Sequence, residues 1–187
     1  MTEDEIAGLG TQGWFSREDF GGMQQAAAAA QACVDGKRLT PAGTSRERSV
    51  NVAVRGDSSL WLTSEDSAFS PLSAMFEALR GEMNRDAWLG LTRFDLQLAH
   101  YPGNGAAYAR HRDALAGKPG RRLTAIAYLN AGWTVPDGGA LRLHVDPVVD
   151  IAPLLGRLVV FLSNQVEHEV MPTWASRLAI TAWYYGP

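Results

Sequence analysis

Turn-forming clusters cut the second half of this chain into pieces too short for long helices. Pro102-Gly103-Asn104-Gly105, Pro136-Asp137-Gly138-Gly139 and Pro172 are the interruptions. The expected strands between them are Phe94–Tyr101, Ala107–Arg112, Arg122–Asn130, Ala140–Val145, Arg157–Leu162, Glu167–Met171 and Arg177–Tyr185. Short strands at regular spacing, with turn signals between them, point to a sandwich or barrel of about seven or eight strands.

The first half reads differently. Gln24-Gln25-Ala26 to Ala30-Gln31-Ala32 is alanine-rich and predicts a helix, with Ser16 and Asp19 as a capping arrangement and Gly36 as its stop. Gly13-Trp14-Phe15 suits the start of a sheet. Residues 37–49 are charged and turn-rich, with Pro41, Gly43 and Arg46-Glu47-Arg48, and suggest a mobile loop. Val50–Val54 alternates like a half-buried strand, Arg55-Gly56-Asp57 marks a turn, and Leu60-Trp61-Leu62 is the returning strand. Ser70-Pro71 opens a second helix, in which Leu72, Met75, Phe76, Leu79 and Met83 share one face up to about Ala87. The expectation is one domain, 1–187. Residues 1–92 supply helical support, a hairpin and a loop, and 93–187 form a β-barrel core. The fold class is mainly β with flanking α, the N-terminal helices buttressing one outer face of the sheet.

With 187 residues, 46% of them apolar, the chain is large enough to bury its own core. A net charge of −3 leaves no cationic excess for phosphates, so neither nucleic acid nor an anionic membrane is expected as main partner. The longest wholly apolar runs, such as Leu158–Leu162, are far short of a bilayer span. Met1-Thr2-Glu3-Asp4-Glu5 is acidic where a secretory signal would be basic. The single cysteine, Cys33, excludes an internal disulfide framework and reads as a small buried apolar group. A cytoplasmic, monomeric protein is expected.

Four histidines, His100, His111, His144 and His168, limit the possible chemistry. In His111-Arg112-Asp113 the imidazole and the carboxylate project to the same side at strand period two. Alone, this pattern is a weak signal that more often marks a surface histidine beside a solvated aspartate. His168, in a second strand-like stretch, would complete two histidines and one carboxylate, the facial triad suited to non-haem Fe(II). Arg177, Ala179, Thr181 and Trp183 share one face of the last strand, and Leu178, Ile180, Ala182 and Tyr184 the other. If the first set lines a barrel interior, Arg177 needs an anion there, either a bound carboxylate or an internal Asp or Glu. Tyr128 can give a hydrogen bond to the same anion, or simply pack in the core. His100 and His144 have no such partners and are read as structural.

Several linked motifs resemble the hypoxia-inducible-factor prolyl hydroxylase family. They are Tyr101-Pro102-Gly103-Asn104-Gly105 before His111-Arg112-Asp113, Tyr128-Leu129-Asn130, Gly138-Gly139-Ala140-Leu141-Arg142, His168-Glu169-Val170 and Arg177-Leu178-Ala179-Ile180-Thr181-Ala182-Trp183-Tyr184. Arg55-Gly56-Asp57 with Trp61 resembles that family's element after its substrate loop. The resemblance runs from about Gly13 to the end and is dense from Leu98 onward. It implies a double-stranded β-helix, a jelly-roll, cupin-like barrel. It also implies Fe(II) as cofactor, with 2-oxoglutarate and O2 as co-substrates. By resemblance, His111, Asp113 and His168 would hold the iron, and 2-oxoglutarate would chelate it through its 2-oxo group and C1 carboxylate. Arg177 would clamp the distal carboxylate, with Tyr128 hydrogen-bonding it and Tyr101 and Thr181 lining the co-substrate pocket. Trp183, Asp57 and Arg55 would border the substrate, residues 38–54 would fold over it, and Asp57 would pair with Arg122. Two departures are an alanine, Ala127, where animal members carry an aromatic residue, and no C-terminal helix after the last strand.

The implied reaction is hydroxylation of a prolyl residue in a protein to 4-hydroxyproline, releasing succinate and CO2. No side chain is expected to be catalytic beyond the metal centre. The translation factor EF-Tu is the candidate partner that bacterial relatives suggest. Two rivals remain open: a hydroxylase of a small molecule or free amino acid, and a non-catalytic cupin-like metal-binding or sensory module.

Overall fold

The structure, a computed structural model, describes residues 1–43, 54–114 and 120–186. The strand expected at Val50–Val54 lies outside the described residues up to Ala53, as does Arg46-Glu47-Arg48. Three helices are present, α1 (Glu3–Thr11), α2 (Met23–Asp35) and α3 (Ser70–Asp86). The strands are β1 (Trp14–Arg17), β2 (Thr40–Pro41), β3 (Ser58–Leu62), β4 (Arg93–Tyr101), β5 (Ala106–His111), β6 (Arg121–Tyr128), β7 (Leu141–Leu143), β8 (Val149–Ile151), β9 (Leu158–Leu162), β10 (His168–Thr173) and β11 (Arg177–Tyr185).

The strands form two antiparallel sheets, of order β1-β9-β6-β11-β4-β3-β2 and β5-β10-β7-β8. The eight strands from Arg93 onward fall within the expected number. Strand alternation gives the large sheet two apolar faces. Leu178, Ile180, Ala182 and Tyr184 join the buried residues of all three helices in one cluster. Ala179, Tyr128, Ile126 and Phe161 turn the other way and meet Leu141, Leu143 and Val170 of the small sheet. One core therefore lies between helices and sheet, the other inside the barrel.

The helical layer is anchored by α3, where Leu72, Phe76, Leu79 and Met83 are buried at helical spacing. The Tyr184 hydroxyl donates to the Phe76 carbonyl at 2.8 Å, tying the last strand to this helix. In α2, Met23, Ala26, Ala30 and Cys33 make the buried face, and Gly36 is the C-cap, as expected. Ala127 is fully buried in the helix-side cluster.

Four local expectations are corrected, and one unassigned helix appears. Ser16 and Asp19 do not cap α2. Ser16 lies in β1, Asp19 Oδ1 accepts from the Gly21 amide, and the N-cap is Gly22, with φ 39 and no side-chain bond. The acidic N-terminus is helix α1, closed by a capping box in which Thr2 and Glu5 satisfy each other's amides. Thr40–Pro41 is an edge strand on β3, although its charged and turn-rich surroundings suggested a loop. The Arg55-Gly56-Asp57 segment is not a hairpin turn. Gly56 N–H donates to the Ala107 carbonyl, and Arg55 bridges to Tyr108, so the segment lies along β5 and links the two sheets. Asp57 pairs with Arg55 and not with Arg122, which is exposed.

Truncating Phe76, which is fully buried, should cost about 3–5 kcal/mol as Phe76→Ala, read by urea unfolding. Trp88→Ala, at 87% exposure, should change stability by no more than about 0.5 kcal/mol.

Candidate metal and co-substrate site

The register of β10 on β5 sets His168 opposite His111. Directly opposed residues of antiparallel strands are close enough for their side chains to touch, and the two rings lie 4.3 Å apart. Asp113 follows just beyond β5. His111 Nε2 is 3.7 Å from Asp113 Oδ1, and His168 Nε2 is 3.9 Å from Oδ2. One ligand atom from each residue lies within 4.8 Å of the others.

The tautomers follow from the hydrogen bonds. His111 Nδ1 lies 2.8 Å from the Ala109 carbonyl, and His168 Nδ1 lies 3.3 Å from the Val166 carbonyl. A carbonyl only accepts, so each Nδ1 carries a proton, and Nε2 is the ring nitrogen turned toward Asp113. Burial disfavours charge on His168 and, despite the nearby Asp113, pushes its pKa down to about 4. Burial alone would raise the Asp113 pKa. The two imidazoles and the Thr124 hydroxyl outweigh it and hold the carboxyl well below the usual carboxylate range. The cluster thus brings together two imidazole Nε2 atoms and one carboxylate, the donor set of an Fe(II) facial triad. Tyr108 stacks on His111 at 3.8 Å and Phe161 lies 4.6 Å from His168, so aromatic walls fix both rings.

The triad opens into a cavity of about 50 Å³ between the sheets. Arg177 lies along its wall from β11 and is 2% exposed. Its Nε donates to the Gly139 carbonyl at 2.9 Å. Gly139 must be glycine: φ is +64, and a Cβ there would stand 2.9 Å from Arg177 Cδ. Among the described residues no carboxylate lies within ion-pair distance of Arg177, so the internal salt bridge is not what this charge serves. The guanidinium carbon sits 5.0 Å from the Tyr101 ring and 5.2 Å from the Tyr128 ring. Among the described residues the buried Tyr128 hydroxyl has no partner, and burial pushes its pKa up to about 12, so it remains a donor. An unpaired buried cation beside an orphaned hydroxyl donor fits a small-molecule carboxylate. This is an observation in favour of 2-oxoglutarate.

Tyr101, Thr181 and Trp183 line the cavity as expected. Tyr128 stands behind Arg177 rather than on the open wall. Arg55 is at the cavity, held by Asp57 at 2.7 and 2.9 Å, and it donates to Gln97 Oε1 at 3.1 Å. Asp57 is buried behind it and does not face the cavity. Burial opposes the Arg55 charge, but Asp57 more than offsets this and keeps it protonated. Sequence reasoning missed four residues. Gln97 and Tyr108 line the wall, and Thr124 bonds Asp113. Arg121, not Arg122, reaches inward, with its guanidinium 4.0 Å over the Trp183 ring. Strand parity from Thr124 and Ile126 points to Arg122; the bulge opposite Tyr184 and Tyr185 shifts the alternation so that Arg121 is the one that reaches inward. His100 bonds Ser176, and His144 pairs with Glu169 at 3.0 Å, both outside the site.

Two antiparallel sheets enclosing two histidines, a carboxylate and a buried arginine define an iron and 2-oxo-acid oxygenase fold. Comparison with known proteins agrees. The family described as the 2OG-Fe(II) oxygenase superfamily matches residues 96–185. Human prolyl hydroxylase EGLN3 is 33% identical over 81% of this chain and 65% of its own length. A Pseudomonas putida prolyl-4-hydroxylase superimposes with TM-score 0.86 at 34% identity, covering 98% of both chains. A Trichoplax adhaerens prolyl hydroxylase, in complex with a hypoxia inducible factor oxygen degradation domain peptide fragment, superimposes with TM-score 0.87 at 31% identity, covering 97% of this chain and 87% of that one. The chain belongs to the 2-oxoglutarate- and Fe(II)-dependent oxygenases, a family that uses Fe(II), 2-oxoglutarate and O2, and within it is homologous to the prolyl hydroxylases. It spans 65% of human EGLN3 and 41% of the mouse protein.

His111→Ala and His168→Ala should each abolish stoichiometric Fe(II) binding, measured by metal analysis after desalting, because two remaining protein ligands cannot hold a facial arrangement against water. Retention of one equivalent of iron in either variant would dismiss this cluster as the metal site.

Proposed function

We propose that this chain is a prolyl hydroxylase acting on a protein, with Fe(II) held by His111, Asp113 and His168 and 2-oxoglutarate held by Arg177. The observation that carries the reading is the buried, carboxylate-free Arg177 in the same cavity as the triad. A metal-binding module without turnover has no use for a costly unpaired cation beside its metal ligands.

In this reading the Arg177 fork receives the distal carboxylate, and Tyr128 donates to it. Tyr101 and Thr181 shape the walls around the co-substrate. Trp183 and Tyr108 make an aromatic border for the target ring, and the Arg55–Asp57 pair holds the segment that links the sheets beside it. Bound iron, with 2-oxoglutarate and O2, would supply the oxidising chemistry: one oxygen atom enters a proline C–H bond, and the other enters succinate as CO2 leaves. A protein substrate is supported by the peptide in the Trichoplax complex and by the homology to EGLN3. EF-Tu is the candidate that family resemblance suggests. The loop expected to close over a peptide, 38–54, lies mostly outside the described residues. A cytoplasmic site of action accords with a lone, buried cysteine.

Arg177→Ala should weaken 2-oxoglutarate binding about tenfold or more, since a charge-assisted bond contributes about 1.5–3 kcal/mol. Arg177→Lys should recover only part of it, because a point charge lacks the fork. Calorimetric titration of 2-oxoglutarate in the presence of Mn(II) reads both.

The substrate class is tested by incubating host lysate proteins and purified EF-Tu with enzyme, Fe(II) and 2-oxoglutarate, then mapping oxidised residues by mass spectrometry. A gain of one oxygen on a particular proline is the expected result. Hydroxylation of a free small molecule with no prolyl product would replace the reading with the small-molecule rival.

A further inference from the structure

Asp113 stands just past the end of β5, and its carboxylate is steadied from the opposite sheet. Thr124 on β6 donates its hydroxyl to Asp113 Oδ2 at 2.7 Å. Thr124 Oγ1 is also 2.8 Å from Ser163 Oγ. A threonine hydroxyl has one hydrogen, and a carboxylate oxygen can only accept. Thr124 therefore gives its hydrogen to Asp113, and Ser163 must donate to Thr124. Both residues are fully buried. Ser163 is itself pinned through its backbone: its amide donates to the Arg122 carbonyl, and its carbonyl accepts from Ala114, the residue after Asp113, each at 3.1 Å. The chain Ser163→Thr124→Asp113 is thus directional and tied at both ends.

We propose that the Ser163–Thr124 pair is a positioning device that holds the Asp113 carboxylate facing the two imidazoles, an inference that rests on the proposed function. The oxygen that Thr124 engages is Oδ2, which is 3.9 Å from His168 Nε2, while Oδ1 is 3.7 Å from His111 Nε2. Asp113 would be one of only three protein ligands to the metal, so its orientation matters. Hydrogen bonds to a ligating carboxylate orient it and set its donor strength.

The test uses the full chain and Mn(II) as a redox-stable probe, with free ion counted by electron paramagnetic resonance. Thr124→Val keeps the shape and removes the donor, and should weaken Mn(II) binding by roughly 10–100-fold. Thr124→Ser restores the donor and should bind within about threefold of the parent, a rescue that a packing role alone would not produce. Ser163→Ala leaves Thr124 without its own donor and should fall between the two. Parent-like affinity in a folded Thr124→Val protein overturns the inference. If circular dichroism shows that Thr124→Val does not fold, Ser163→Ala decides, and parent-like affinity there overturns the pair. A parent protein that binds no Mn(II) would instead overturn the proposed function itself.

Discussion

Strand β11 is buried on both faces, and its alternation must serve two interiors at once. It lies between β4 and β6, so its backbone groups are committed on both edges. Leu178, Ile180, Ala182 and Tyr184 bind the helical layer, while Arg177, Ala179, Thr181 and Trp183 face the cavity. A slip of one residue would drive a guanidinium into the helix-side core and an isoleucine into the site. The same packing that stabilises the sheet therefore aims the arginine. The Tyr184 hydroxyl on the Phe76 carbonyl adds a polar tether that only one register satisfies.

The site stores its polarity in a dry interior. His111, His168 and Asp113 face one point, and each is held from behind by a carbonyl or a hydroxyl. Arg177 and the Tyr128 hydroxyl do the same toward a second point. Unpaired polar groups in a low-dielectric interior are costly. Their presence in two adjacent sets, one of donors to a cation and one of partners to an anion, marks a cavity built around a metal ion and a carboxylate.

The framework around these groups depends on links between the sheets. Arg55 touches Asp57, Gln97 and the face of Tyr108, and Gly56 lies against β5. Arg121 spans from the Trp183 ring toward Asp113. Two arginines stacked on aromatic rings thus flank the site. Such a frame joins cationic donors to flat apolar surfaces.

Much of this was legible in the sequence, because its signals are local. Gly and Pro clusters cut the strands, period two separated the faces of β11, helical spacing marked the buried side of α3, and the order of motifs carried the family. The two histidines and the aspartate were found by residue type and strand parity, and Arg177 by its wrong polarity on an inward face. Some local signals compete. The sequence pattern sets Asp57 against Arg122 although Arg55 stands two residues away, offers Ser16 as a cap although it belongs to a strand, and leaves α1 unassigned although Thr2 and Glu5 form its capping box. Thr124, Ser163, Gln97 and Arg121 carry no signal of their own, since a buried threonine or glutamine reads as ordinary strand filling. The sequence by itself determined which elements form and which side chains can do the chemistry, because propensity, turn residues and alternation act within a few neighbours. Only the tertiary structure decided which groups meet, because the closure of two sheets at one register alone sets His111 against His168, leaves Arg177 without a carboxylate and brings Thr124 to Asp113.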